Sequence, residues 1–159
     1  MTHLNFIAEP GKQEIVITRL FDAPCELVYK TYTDPHLIPH WWGPKNGTII
    51  VERMDVRPGG SWRCIHRDVD GHEYPFRGVF HEVLSPERLV YTFEFEGMPG
   101  HILLEAVTFE ERGGKTMLTD HSVFQTLEDR DRILRTGMEE GAVESLNRFA
   151  ELLANRRNR

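Results

Sequence analysis

The sequence is poor in cysteine, in long apolar runs and in positive charge, and each absence argues against a class of function. Only two cysteines occur, Cys25 and Cys64, and they do not form a CxxC pair. This pattern excludes a disulfide scaffold and favours reduced core cysteines in a cytoplasmic protein. No apolar stretch is long enough to span a bilayer, and the N-terminus lacks the charged-then-apolar pattern of a signal peptide. We therefore expect no membrane insertion.

Sites for nucleic acids, metals and phosphates are not indicated either. The formal net charge is −6, whereas a nucleic-acid-binding surface needs clustered basic residues. The sequence contains no G-x-S-x-G, H-E-x-x-H or phosphate-binding glycine loop. His36 and His40 have a spacing that could place two metal ligands together on a helix, but Pro39 interrupts that helix and no third ligand follows. We expect no nucleic-acid partner, no metal and no cofactor.

The composition is that of an ordinary globular domain. Hydrophobic residues make up 40% of the chain and charged residues 28%, so a chain of this length has enough apolar side chain to form a core. We predict one domain over residues 1–159, with its core between about residues 14 and 155.

Strand and helix patterns follow one another in a simple order. A β-branched segment at residues 14–21 predicts the first strand, and two short helical patterns follow it. Between Thr48 and Phe124, six apolar segments are separated by short turns such as RPGG at 57–60 and DG at 70–71, which is typical of an antiparallel meander. From about Leu127 to Asn155, apolar residues recur every three or four positions, which predicts one long helix of about 42 Å.

These elements fit one architecture. We predict an α+β helix-grip fold, in which a curved antiparallel sheet of about seven strands wraps around the long C-terminal helix. The two short helices after the first strand close one end. A sheet that grips a single helix readily leaves an apolar cavity between them. A core filled by side chains is the alternative, and periodicity does not distinguish the two.

The residues expected around such a cavity are mostly aromatic. Trp41 and Trp42 lie among prolines in the segment 34–44, and so large an apolar pair is expected to wall a cavity or to pack in the core. Alternation along the strands places further side chains on the same face. We predict that the ligand-binding residues are Trp41, Trp42, Trp62, His66, Phe76, Tyr91, Phe93, Glu105, Asp120, Leu134 and Met138.

Three of these positions are polar. His66, Glu105 and Asp120 lie on strand faces that are otherwise apolar, where a carboxylate or imidazole would have a shifted pKa and could orient a ligand or transfer a proton. The alternative is that each lies on the surface or is satisfied by a cross-strand partner. A register slip of one residue would reverse the whole assignment. We assign no catalytic residue and keep these three as candidates.

Several motifs resemble a known superfamily. Within the START-like (SRPBCC) superfamily, they resemble the bacterial branch related to the activator of heat-shock protein 90 ATPase. The resemblance covers about residues 15–153 and implies the helix-grip fold of the START and pollen-allergen proteins. The motifs that carry it are FDAP at 21–24, YTDP at 32–35, WWGP at 41–44, DVRPGGSWR at 55–63, DGHEY at 70–74, PERLV at 86–90, EDRD at 128–131 and GMEEG at 137–141.

The resemblance and the residues together leave three functional hypotheses. The first is the binding of a hydrophobic or amphipathic small molecule in a cavity between the sheet and the C-terminal helix. The alternative is a co-chaperone-like protein that modulates a chaperone ATPase, although the eukaryotic proteins with that activity carry a further chaperone-binding domain. The third is a cyclase- or hydrolase-type enzyme that uses His66 with Glu105 or Asp120 as acid and base. Exposed strand edges also make a homodimer a plausible expectation.

Overall fold

The fold is an antiparallel sheet that wraps around a C-terminal helix, as seen in a computed structural model that describes residues 4–157. Residues 1–3 and 158–159, which the predicted domain includes, lie outside the described residues. The strands are β1 (Leu4–Ile7), β2 (Glu14–Phe21), β3 (Thr48–Met54), β4 (Ser61–Arg67), β5 (Glu73–Leu84), β6 (Arg88–Phe95), β7 (Ile102–Arg112) and β8 (Lys115–Phe124). The helices are α1 (Cys25–Thr33), a 3-10 helix (Ile38–His40), α2 (Leu127–Leu134) and α3 (Met138–Arg157).

The strand order is β1-β2-β8-β7-β6-β5-β4-β3, and all neighbouring strands are antiparallel. The predicted meander therefore runs from β3 to β8, and β2 joins it along β8. The register shifts between Val51 and Arg53 in β3 and between Phe80 and Glu82 in β5. Such irregularities bend a strand and increase its twist, which helps the sheet to curve. The predicted α+β helix-grip fold is confirmed.

The concave face of the sheet is covered by α1 and α3. Strand β2 alternates as its sequence suggests, with Ile15 and Ile17 buried. On α3, Leu146, Phe149 and Leu153 are buried, and their spacing of three and four residues places them on one face of the helix. The C-terminal half of α3 therefore packs into the core.

A cluster of aromatic rings joins these layers. The Phe149 ring is completely buried, with its centroid 5.0 Å from that of Phe21 and 4.9 Å from that of Trp41. Tyr32 of α1 lies 6.3 Å from the same ring. Edge-to-face and tilted contacts of this kind stabilise a core beyond the burial of apolar area alone. Phe149 thus connects α3 to β2, to α1 and to the segment that follows the 3-10 helix.

The sheet contains one strand more than predicted. Strand β1 covers Leu4–Ile7 and pairs with β2, with Phe6 opposite Ile17. The prediction began the core at residue 14, because a segment of four residues is too short to show a clear alternation by itself. Its strand conformation follows from pairing with the free edge of β2.

The prediction of one continuous helix from Leu127 to Asn155 is wrong. The structure has α2 at its start and the long helix α3 only from Met138 onward. Gly137 interrupts the helix with a φ of 82°, a backbone conformation that glycine adopts without strain. The second predicted short helix is also reduced, to a 3-10 turn at Ile38–His40 that contains Pro39.

None of the helices within residues 4–157 is both long enough and apolar enough to cross a membrane.

We expect Phe149→Ala to lower the free energy of unfolding by about 3–5 kcal/mol, because truncation of a buried phenylalanine leaves a cavity. Urea denaturation followed by circular dichroism measures the change. Val143→Ala, at an exposed position of the same helix, is the matched control and should change stability by less than about 0.5 kcal/mol. Similar effects of the two substitutions would contradict the central role of Phe149.

Candidate functional site

A cavity of about 510 Å³ lies between the concave face of the sheet and the N-terminal half of α3. Its volume falls within the range of pockets that hold small organic ligands. Thr136 and Gly141 both line the cavity and are exposed to solvent, so the cavity opens beside the junction of α2 and α3. Buried Ile17 and Leu118 lie at its inner end.

Three cross-strand rows of side chains form the floor of the cavity. The row nearest the opening is apolar and consists of Phe93, Leu103 and Phe124. The middle row is polar and consists of Tyr91, Glu105 and Ser122. In the inner row, Asp120 lies among apolar residues, namely Leu89, Val107 and Ile17. The floor is therefore apolar near the mouth, has its polar side chains one and two rows deeper, and is again apolar around Ile17 and Leu118 at the inner end.

The tryptophans of the wall are held by hydrogen bonds and ring contacts. The Trp41 indole N–H donates to the Thr31 carbonyl at 3.0 Å, and the Trp62 indole N–H donates to the Thr92 carbonyl at 3.2 Å. Trp42 packs edge-on against Phe76, with the ring centroids 5.5 Å apart. Because the indole N–H groups of Trp41 and Trp62 are satisfied by the backbone, these two rings present their apolar surfaces to the cavity.

A hydrogen-bonded group of side chains forms the polar centre. The hydroxyl oxygens of Tyr32 and Tyr91 lie 2.6 Å apart. The Ser122 Oγ lies 3.2 Å from Glu105 Oε1 and 3.2 Å from Asp120 Oδ1. Glu105 and Asp120 keep some accessible surface, but both are surrounded by protein, so that surface faces the cavity rather than bulk water.

This environment disfavours charge on every titratable group of the polar centre. Burial raises the pKa of Glu105, and burial together with the nearby Glu105 carboxyl raises the pKa of Asp120 well above its usual range. Burial also raises the pKa of both Tyr32 and Tyr91, so their phenols are neutral hydrogen-bonding groups at physiological pH. The group can therefore hold and share protons inside an apolar cavity.

The cavity has no cationic side chain of its own. Within residues 4–157, the charged side chains that line it are Glu105, Asp120 and Glu144, and all three are acidic. A buried cation on the concave face of β2, Arg19, lies outside the lining and donates to Asn147 Oδ1 of α3 at 2.7 Å. The buried carboxyls are therefore not neutralised by a lysine, arginine or histidine in the cavity wall.

The structure brings most of the predicted site residues to this cavity. Their role in binding stays a prediction, but their position on its wall is clear. Lining residues from the predicted set are Trp41, Trp42, Trp62, Phe76, Tyr91, Phe93, Glu105, Asp120 and Met138. His66 and Leu134 do not line it.

His66 is not placed near the carboxyls. It shares a face of β4 with Trp62 and Cys64, but it lies at the far end of that strand. Its Nε2 lies 3.3 Å from the Asn46 carbonyl, and its ring stacks on Tyr74. Strand β4 is three strands from β7, a separation of roughly 14 Å along the sheet. The predicted pairing of His66 with Glu105 or Asp120 is therefore wrong.

Leu134 was misplaced because the helix was predicted to be continuous. It lies at the end of α2 and packs against the hydrophobic core, while its neighbour Ile133 lines the cavity. Because the chain leaves the helical conformation at Gly137, the apolar faces of α2 and α3 do not form one continuous stripe. A three-to-four-residue periodicity continued from α3 into α2 therefore predicts the wrong face of α2.

Two polar residues of the site were not predicted as binding residues. Ser122 shares the inward face of β8 with Asp120, an alternation visible in the sequence. Tyr32 lies on α1, and no local pattern indicates its contact with Tyr91, 59 residues away. Cys64 also lines the cavity, where burial raises the pKa of its thiol to about 12 and keeps it protonated.

Possible metal ligands cluster elsewhere. Within the described chain, the one group of three such side chains is Asp68, Asp70 and His72, at the turn between β4 and β5. The Asp68 Oδ1 accepts hydrogen bonds from the backbone N–H groups of Asp70 and His72, both at 2.9 Å. This arrangement is explained by the turn itself and is separate from the cavity.

We expect Asp120→Asn to stabilise the protein at alkaline pH. Because the folded-state pKa of Asp120 is raised, the folded state binds its proton more tightly than the unfolded state, and stability falls as pH rises from about 4 through the folded-state pKa. The substitution should raise the Tm at pH 8 by about 3 °C or more, which corresponds to roughly 1 kcal/mol at this chain length. At pH 4 the gain should be smaller.

Thermal denaturation between pH 4 and pH 8 measures this difference. Asp70→Asn, at an exposed position, is the control, and its Tm should differ little from that of the wild type at each pH in this range. A destabilising effect of Asp120→Asn at pH 8 would show that the buried charge is stabilised by the fold.

Bacterial proteins of known structure share this fold. Protein Ms6760 from Mycobacterium smegmatis matches with a TM-score of 0.86 at 24% identity, over 96% of this chain and 97% of its own. A protein from Arthrobacter aurescens matches with a TM-score of 0.87 at 23% identity, over 95% of this chain and 91% of its own. A protein from Staphylococcus epidermidis matches with a TM-score of 0.79 at 26% identity, over 93% of each chain. These likenesses establish the fold and leave the function open.

No curated protein matches the sequence. Residues 22–154 match the family described as activator of Hsp90 ATPase homolog 1-like protein. The match begins just before α1 and ends within α3, so it includes every strand from β3 to β8 and the residues that line the cavity, with the exception of Ile17. The predicted resemblance is confirmed, and the chain belongs to the activator of Hsp90 ATPase homolog 1-like family.

Proposed function

We propose that this protein binds a hydrophobic or amphipathic small molecule in the cavity between the sheet and α3. The observation that carries the proposal is an apolar cavity of about 510 Å³ whose aromatic walls are fixed in place. Protein interiors are normally close-packed, so an unfilled space of this size is unusual and indicates a binding site. A ligand that fills it would recover the contacts that the wall residues lack.

The mouth of the cavity supports the same proposal. The loop after the two tryptophans is tied to α3, since the Lys45 N–H donates to Glu144 Oε1 at 2.7 Å and Ser145 Oγ donates to the Gly43 carbonyl at 3.4 Å. Arg148 also donates to the Gly43 carbonyl. These contacts hold the loop beside the helix, so the opening beside Gly141 is already formed.

Cytoplasmic location is part of this proposal. Cys25 and Cys64 are both buried free thiols, which fits a reducing compartment.

A second candidate function is binding to a protein partner, as in a co-chaperone. It is supported by apolar side chains on the convex face of the sheet, where Leu104 and Val123 face each other across β7 and β8. They are 44% and 40% exposed, and Ile102 lies on the same face of β7. A partner on this face, including a second copy of the chain, would leave the cavity free. Substitutions at Leu104 and at the cavity mouth therefore separate the two functions.

We expect wild-type protein to bind N-phenyl-1-naphthylamine, a neutral apolar probe whose fluorescence rises on transfer out of water. Gly141→Leu should weaken this binding by about tenfold or more, because the new side chain occupies the open mouth of the cavity. Leucine is also favoured over glycine in a helix by about 1 kcal/mol, so the fold should be retained.

Fluorescence titration measures the affinity, and native mass spectrometry of the purified protein detects any ligand that remains bound. Val143→Leu, on the exposed side of the same helix, is the control and should bind the probe as the wild type does. Wild-type protein that gives no saturable signal would refute a ligand-binding cavity. Equal binding by both variants would place the probe outside it.

A further inference from the structure

We propose that the ligand of this cavity carries a protonated amine that is held by the Glu105–Ser122–Asp120 group, with its apolar part directed toward the mouth. This inference rests on the proposed function, since it names the chemical class of the molecule that the cavity binds.

The first argument is the number of hydrogens at Ser122. Its single hydroxyl oxygen lies 3.2 Å from a carboxyl oxygen of Glu105 and 3.2 Å from one of Asp120. One hydroxyl hydrogen can be donated to only one of the two acceptors. Both contacts become hydrogen bonds when one carboxyl is protonated and donates to Ser122, while Ser122 donates to the other carboxylate. One proton is thus the fewest with which both contacts are hydrogen bonds, and in that form the group holds one shared proton and one negative charge.

The second argument is that the cavity does not neutralise this charge. The charged groups that line it are acidic, including Glu144 at the mouth, whose carboxylate already accepts a backbone N–H. From β2, the buried Arg19 is directed to Asn147. The hydroxyls of Tyr32 on α1 and of Tyr91 on β6, which hydrogen-bonds Glu105, are neutral and bring no positive charge. An uncompensated charge in an apolar cavity is costly unless a cation or strong donors meet it. A ligand ammonium supplies both.

The third argument is the order of the rows on the cavity floor. An entering molecule first meets the apolar row that contains Leu103 and Phe124, and the carboxyls lie one and two rows deeper. An amphipathic amine would therefore lie with its charged end inside and its hydrocarbon part between Trp42, Phe93 and Met138 near the mouth. The same geometry disfavours carboxylate, sulfate and phosphate ligands, since like charges would be brought together away from water.

The test compares three probes of equal chain length, each used below the concentration at which it forms micelles. They are decylammonium, decanol and decanoate, and each is titrated at pH 7 against N-phenyl-1-naphthylamine bound to wild-type protein. An alkylammonium stays protonated at this pH, as a lysine side chain does. We expect decylammonium to displace the dye at a concentration about tenfold or more below that of decanol, and decanoate to be the weakest.

Variants then assign the preference to the carboxyls. A single substitution, Glu105→Gln or Asp120→Asn, leaves one carboxyl to carry the negative charge but removes one of the two that hold the ammonium, so the ratio of decylammonium to decanol affinity should be reduced and remain above one. The double substitution removes that charge, and the ratio should fall to near one. A ratio that persists in the folded double variant would show that the ammonium binds elsewhere.

The wild-type comparison can fail in two distinguishable ways. If the dye binds and decylammonium is no better than decanol, the amine inference is overturned while the proposed cavity function stands. If the dye does not bind at all, both are overturned. Neither result depends on whether the double variant folds.

Discussion

The cavity exists because α3 packs tightly against the sheet along only part of its length. Phe149, Leu146 and Leu153 fill the space under its C-terminal half, and the contacts of Phe149 with Phe21 and Trp41 fix the distance of the helix from the sheet. The N-terminal half is held at a similar distance by the same rigid helix, but Gly141 and Ala142 supply little side chain to fill the gap. The open volume is thus a consequence of packing at the other end of the helix.

The polar centre is costly to keep in such a cavity. Two carboxyl groups on neighbouring strands are shielded from bulk water. Burial raises the pKa of both, and the nearby Glu105 carboxylate raises the pKa of Asp120 further. Leucine or valine at these positions would extend the apolar floor without that cost. Strongly perturbed carboxyls in a cleft are characteristic of functional sites, which is why Glu105 and Asp120 are the centre of our proposals.

The sequence was sufficient for every described strand except β1 and for most of the wall. Period-two alternation identified the inward faces of β4, β7 and β8, so Trp62, Glu105 and Asp120 were correctly expected to share the concave side. Alternation assigns a face but not a distance along the strand, and for this reason His66 was grouped with carboxyls that lie several strands away. Helical periodicity likewise could not reveal the break at Gly137, where a positive φ interrupts the helix and changes the direction that its apolar face takes.

The sequence of α3 is constrained differently in its two halves, by core packing in the C-terminal half and by the cavity in the N-terminal half. Leu146, Phe149 and Leu153 of the packed half are buried in the core, whereas Met138, Gly141 and Ala142 border the cavity and are at most partly buried. Substitutions in this first part of the helix can therefore reshape the mouth at a lower cost in stability than substitutions at Leu146, Phe149 or Leu153. Relatives with this fold can diverge in ligand choice through a few positions before Leu146 while the remainder of the helix stays under selection for packing.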